Sequence, residues 1–198
     1  VTLAFASCQY PAGMFDKPLA HASYDTLARY LREGTGAQPE CLLLLGDQIY
    51  SDATAGLTDP LKADDRFDAP SEEAVKIPGL QYVRQSIPVH AMLDDHELQE
   101  NWEPFRPGLT GARWEQGMRA YWIYQRNQPD HVASPAALRN AMTWFTPSGD
   151  HWAVFMADSR SRRQYRNDFK LRQTLLLGPE QTKQLEQWLV APDLKDKL

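Results

Sequence analysis

The sequence predicts an α/β fold with a largely parallel sheet, and two observations carry that prediction. Short apolar runs with strand character, at 1–6, 41–45, 87–93 and 151–157, alternate with segments of helical spacing, the pattern of parallel strands joined by crossover helices. Each run is also followed by polar residues able to bind or react, and open α/β sheets build their sites at the carboxyl ends of their strands. The 198 residues suit one domain, and a chain of this size buries roughly 70% of the surface its unfolded form exposes. No internal repeat, low-complexity tract or composition break divides residues 1–198, which are taken as a single domain.

The elements follow in order. Residues 1–6 place Val1, Leu3 and Phe5 on one face of a strand. Residues 18–33 set Ala20, Tyr24, Leu27, Ala28 and Leu31 at helical spacing, with Pro18 near the start and Gly34 and Gly36 beyond the end. Cys41 and the four leucines after it form a continuous apolar run, short and followed by Gly46, which predicts a strand covered on both faces. Residues 52–79, rich in Asp and Pro, predict a long loop, followed by a helical turn or two over 79–86. Ile87, Val89, Ala91 and Leu93 alternate as a strand does, and Trp114, Met118, Tyr121 and Trp122 line one face of a helix over 113–128. Residues 151–157 read as a fourth strand entered through a turn at 147–150. Residues 178–190 read as a helix with Pro179 in its first turn and an apolar face of Leu185, Trp188 and Leu189.

Composition excludes some functions. The net charge is −5 and the 21 basic residues are dispersed, so there is no footprint for nucleic acid. The tightest basic cluster, residues 158–166 with Arg160, Arg162 and Arg163, suits a small anionic group. No run approaches the roughly 18 apolar residues of a membrane span. No signal peptide is evident and the compartment stays open; a chain that enters a core strand at Val1 fits removal of an upstream segment. Cys8 and Cys41 close and open neighbouring strands, so they are expected at opposite ends of the sheet rather than in a disulfide.

The residues that follow the strands form a set: Ser7-Cys8-Gln9, then Gly46-Asp47 with Tyr50, then Asp94-Asp95-His96-Glu97, then Asp158 and Arg160. Cys8, Asp47, Tyr50 and Asp95 are all potentially anionic. Gathered at one edge they repel each other unless a cation neutralises them. Thiolate, phenolate and carboxylate together suit a transition metal, and carboxylate positions alone suit a hard cation. His96 can ligate or donate a proton. Plainer readings stand beside these: Cys8 as a small buried hydrophobe, Tyr50 as a packing aromatic, His96 as a helix-start residue satisfied by Asp94. Asp59, Asp64, Asp65 and Asp68 read as a solvated acidic loop and His90 as a sheet histidine. His151 precedes its strand, at the wrong edge, and is excluded.

Residues 5–9 (FASCQ), 42–52 (LLLLGDQIYSD), 88–97 (PVHAMLDDHE), 156–163 (MADSRSRR) and 177–189 (LGPEQTKQLEQWL) resemble, in order, the signature segments of PhoD-like alkaline phosphatases, within the calcineurin-like metallophosphoesterase superfamily. The resemblance implies a layered αββα sandwich with a two-metal centre at the strand ends and a small phosphate ester, mono- or diester, as substrate. It implies that Cys8 and Tyr50 ligate a first metal, ferric iron, and that Asp47 bridges to a second held by Asp95. The second metal is calcium, with manganese or zinc as alternatives. His96 would be the catalytic histidine, with Arg160 beside it in a less defined role. The superfamily's usual Asp-x-His opening is replaced here by Ser7-Cys8-Gln9, as in the PhoD-like branch. Its later histidine-bearing motifs have no counterpart after residue 190, so an incomplete sandwich, a partial site and association into a homo-oligomer are expected. Two rival readings remain: a metal-free cysteine hydrolase using Cys8 and His96, and a non-catalytic metal-binding or interaction remnant of the fold.

Overall fold

The structure, a computed structural model, describes residues 1–9, 17–52, 65–104, 111–163 and 176–194. Three parallel strands, β1 (Ala4–Ala6), β2 (Leu42–Leu44) and β3 (Val89–Ala91), lie in the order β1-β2-β3. Their register pairs Ala4 with Leu42 and Leu42 with Val89, so the three carboxyl ends come level at Ala6, Leu44 and Ala91. Cys41 lies before its strand and Cys8 after its neighbour, and both are free thiols.

Helices α1 (Lys17–Ala20) and α2 (Ala22–Glu33) follow β1, and α3 (Asp68–Val75) and α4 (Pro78–Ser86) precede β3. The leucines of β2 split between two cores, as expected of a central strand. Leu42 and Leu44 meet Tyr24 and Ala28 of α2 and Leu80 and Val83 of α4. Leu43 meets Met92, Trp152 and Met156 on the opposite face. All three are buried, each contributing about 1.5–3 kcal/mol by its removal from water.

The segment expected as a fourth strand, 151–157, does not join this sheet. Phe145 bridges Met156 and Ser148 bridges Ala153, both antiparallel, around a turn in which Gly149 N donates to Trp152 O at 2.9 Å. The alternation was real, since Trp152 and Met156 are buried against Leu43, but it served an antiparallel pair lying over the sheet. Beyond that pair comes α7 (Gly178–Leu189), with Trp188 edge-on to Phe155 at 5.7 Å and Gln184 accepting from Trp144 Nε1 at 2.7 Å. The layers therefore run helices α2 and α4, sheet, bridged pair, α7. A third core beside them gathers Met118 of α5 (Ala112–Ala120), Tyr121, Trp122, Leu93, Leu98 and Leu138 of α6 (Pro135–Asn140).

Other expectations shift locally. Residues 65–79 are not loop throughout, because α3 forms there. Its octapeptide has almost no apolar period and is anchored instead by buried Phe67 and by Ser71, whose hydroxyl donates to the Phe67 carbonyl. The helix over 113–128 ends as a helix at Ala120 and widens into a π-turn over Tyr121–Gln125. That wider turn lets the consecutive Tyr121 and Trp122 both reach the core. On α7, Leu189 is exposed and the most buried side chain is Gln181. On the first strand, Val1 and Phe5 are exposed while Leu3 is partly buried. Asp59 and Asp64 lie outside the described residues, Asp68 opens α3, His90 sits half-buried in β3, and His151 is exposed.

Candidate metal centre

The level strand ends bring the chemistry together. Cys8 N donates to Gly46 O at 3.1 Å and Gln9 N to Asp47 O at 2.7 Å, lacing the first two strand ends. Gly46 has φ +109°, and a Cβ there would lie 2.6 Å from Asp94 Cβ, so only glycine lets the second and third strand ends approach this closely. Cys8 and Asp47 themselves adopt φ 55°. Left-handed backbone is costly for a non-glycine residue and gathers at functional positions.

Three carboxylates meet there. One oxygen each from Asp47, Asp94 and Asp95 lies within 4.8 Å of the others. Cys8 Sγ, at an exposed residue, donates to Asp47 Oδ2 at 3.6 Å, so Cys8 is not the buried hydrophobe of the plainer reading. Tyr50 stacks on His96 with ring centroids 4.2 Å apart, placing it beside the same cluster. Asp94 was not among the expected ligands, though it shares the Asp94-Asp95-His96-Glu97 run with residues that were.

Arg160 reaches the cluster from outside the sheet. Its Nε pairs with Asp94 Oδ1 and its Nη2 with Asp95 Oδ1 at 2.9 Å. Among the described residues Arg160 is the cation paired with the clustered carboxylates, and the guanidinium expected to grip a phosphate is engaged by them. Arg162 donates to the carbonyls of Arg139 and Ala141, and Arg163 pairs with Glu103 at 2.6 Å.

Electrostatics follow from this crowding. Burial raises the Asp47 carboxyl above its ordinary value, and the charge of Asp94 adds to it while the His96 amide pulls the other way. Burial, then the neighbouring Asp47 and Cys8, pushes the Tyr50 phenol up. Burial draws the His96 imidazole toward neutrality, but its 2.8 Å hydrogen bond to Asp52 Oδ1 and the charges of Asp52, Asp47 and Asp95 outweigh that, leaving its pKa raised. Asp52 therefore satisfies His96 in place of Asp94. Cys8 Sγ lies on Asp47, and among the described residues no hydrogen bond joins it to His96, the contact a cysteine hydrolase needs.

Three buried residues hold the site: Glu97 and Asp158, which the sequence set included without giving them a task, and Gln181, which it did not include. Glu97 Oε2 accepts from Asp47 N at 3.2 Å and Asp94 N at 2.9 Å, while Oε1 accepts from Gln48 N at 2.7 Å. Burial pushes this carboxyl up to about 7 against the pull of those amides. Asp158 accepts from Arg160 N at 2.7 Å and Ser161 N at 2.9 Å and from the hydroxyls of Thr143 and Ser161. Its own backbone is met by Gln181, which accepts from Asp158 N at 2.7 Å and donates to its carbonyl at 2.8 Å. A signal for Glu97 existed, a fourth acidic or basic residue in one short run. For Gln181, a polar residue on a helix, there was none.

The donor set fits a cation. Among the described residues three carboxylates meet one guanidinium, a thiol and a phenol stand beside them, and oxygen and sulfur donors of this kind serve both hard and transition metals. The family model described as PhoD-like phosphatase matches residues 3–195. A solved structure of PhoD is similar with a TM-score of 0.63 and 18% identity, covering 94% of this chain and 38% of that one. No curated protein sequence matches. This chain thus spans well under half the length of the matched PhoD chain.

Proposed function

The chain belongs to the PhoD-like phosphatase family, and from that membership we propose that it is a metal-dependent phosphoric ester hydrolase acting on a phosphate mono- or diester. In this reading residues 1–198 form the N-terminal and central part of a PhoD-like metallophosphatase domain. The observation that carries it is the meeting of Asp47, Asp94 and Asp95 at level strand ends, with Cys8 on Asp47 and Tyr50 on His96. In this reading Cys8 and Tyr50 would hold ferric iron and Asp95 would hold calcium, with manganese or zinc as alternative occupants, while Asp47 would serve both. Asp94, part of the same cluster, is added as a further oxygen donor. When bound, such cations supply Lewis-acid polarisation of the phosphoryl group and balance the clustered negative charge.

The chain's own residues then have definite tasks. With Nδ1 bound to Asp52, His96 has its transferable proton at Nε2, and its raised pKa keeps that proton available nearer neutral pH. His96 is the proton donor to the departing alkoxide in this scheme, a contribution of about 10²- to 10⁴-fold. Arg160 holds the Asp94 and Asp95 carboxylates in position.

One observation favours a second reading, a non-catalytic metal-binding remnant: the Arg160 guanidinium already pairs with two of the three carboxylates. Measuring metal per chain and ester hydrolysis together separates the two. The leading reading expects iron and calcium on the parent, hydrolysis of an aryl phosphate, loss of both in Asp47→Asn, and loss of turnover with metal retained in His96→Asn. Metal binding with no hydrolysis under any added cation selects the remnant. Unchanged metal in Asp47→Asn overturns the two-metal assignment.

A further inference from the structure

A cleft of about 430 Å³ opens beside the carboxylate cluster, between the Gln48–Tyr50 loop and the junction of α3 and α4. Its wall is mostly apolar, built from Ile49, Ala74, Ile77 and Pro78. Tyr50 closes the end nearest the cluster, since the same ring stacks on His96. Beneath lies a chamber of about 20 Å³ that shares Gln48, Ile49 and Ala74 with the cleft.

Unpaired polar groups collect here. Among the described residues, four buried side-chain polar atoms lack a hydrogen-bond partner: His21 Nδ1, Arg84 Nε, Gln125 Oε1 and Trp122 Nε1. His21 lines the cleft, and Arg84 and Gln125 line the chamber; only Trp122 lies elsewhere, in the aromatic core. Folded proteins pair nearly all such groups, so the one beside the cleft and the two beside the chamber need partners from whatever fills those spaces, a ligand group in the cleft or a water in the chamber. A mostly apolar pocket with a few convergent polar atoms is the usual form of a small-molecule site.

We propose that this cleft receives the alcohol portion of the phosphate ester and selects a ring-sized, largely apolar group bearing a hydrogen-bonding substituent. The inference rests on the phosphoesterase reading above. Position supports it, because a group seated against Tyr50 leaves its phosphate at the carboxylate cluster. Size supports it, because the cleft falls in the lower part of the roughly 300–1,000 Å³ range of ligand pockets, while the chamber admits little more than a hydroxyl or one water. Charge and size together favour a neutral alcohol over a second phosphate, because the rim cation Lys76 is already paired with Glu72 and Glu73, and the other cation, Arg84, borders only the chamber, which is too small for a phosphate.

The test is binding of non-hydrolysable phosphonates to the metal-supplied chain, followed by calorimetry. Phenylphosphonate is expected to bind at least about tenfold more tightly than methylphosphonate, the gain from burying a ring. A 4-hydroxymethyl substituent on the phenyl ring should raise that ratio further, and His21→Ala should remove the extra gain. Ala74→Trp, which fills the cleft, should bring the phenyl-to-methyl ratio toward one. Equal affinity for both phosphonates on the parent chain overturns the cleft assignment and leaves the phosphoesterase reading standing, and this arm needs no variant to fold. A ratio that survives Ala74→Trp in a variant with parental circular dichroism also overturns it. Failure of both phosphonates to bind at all overturns the phosphoesterase reading, and this inference with it.

Discussion

Glu97 and Asp158 are both buried carboxylates beside the same cluster, and they hold its two halves by different means. Glu97 works between strand ends that the sheet has already levelled, and its Oε2 alone spans the amides of Asp47 and Asp94. Asp158 works where no sheet reaches. It holds the Arg160 turn through two amides and the Thr143 and Ser161 hydroxyls, and it depends on Gln181 of α7 to satisfy its own backbone. Where strands end in register, one side chain suffices to fix the spacing of two ligand candidates. Where they do not, a web of side-chain hydrogen bonds takes the place of the missing ladder.

The comparison breaks most easily at Glu97. Glu97→Ala leaves the amides of Asp47, Gln48, Ile49 and Asp94 buried without their acceptor, and an expected loss on the order of 4 kcal/mol should appear in urea unfolding. Metal binding should fall with it, because both strand ends are released. Asp158→Ala is expected to cost less, about 2–3 kcal/mol, since two of its partners are hydroxyls that can turn to other acceptors. If the two variants lose the same stability at equal denaturant slope, the distinction drawn here between them is wrong.

Gln181→Ala sharpens the comparison, because it removes the support of Asp158 without touching the carboxylate. An expected cost of about 1–2 kcal/mol, with Arg160 mobilised in NMR relaxation while the Asp47 amide is unaffected, would place Gln181 in the Asp158 half alone.

The smallest effect is expected at His90, outside both halves. Burial, with Arg126 adding to it, lowers its pKa below 6.5. The unfolded chain therefore binds this proton first as pH falls, so the contribution of neutral His90 to stability is present above about pH 6.5 and is lost as pH drops from there through the folded value. His90→Gln should flatten the pH dependence of the melting temperature below 6.5 and leave it unaltered above. An unchanged slope would show that His90 titrates as it does in the unfolded chain.

How much of this was legible varies with the range of the interaction. The leucines of 42–44 announce a strand covered on both sides because every residue of it is buried, and a local apolar run is all that such a strand requires. The polar residues after it announce a site because in a parallel sheet all carboxyl ends share one edge. Helix α3 was missed because Phe67, Ser71 and the turn before it hold it, rather than an apolar stripe.

By itself the sequence determined the α/β class, the three parallel strands, the edge at which chemistry gathers and most of the residues that gather there. Those features depend on periodicity and on the polarity of residues next to one another in the chain. Only the tertiary structure decided that residues 151–157 pair with 145–148 instead of joining the sheet, that Arg160 is spent on Asp94 and Asp95, that His96 answers to Asp52, and that Glu97 and Gln181 hold the two halves. The physical reason is that a polar side chain carries no record of its partner. A buried carboxylate or amide is satisfied by whichever partners folding brings within about 3 Å, and several of those partners lie tens of residues away along the chain.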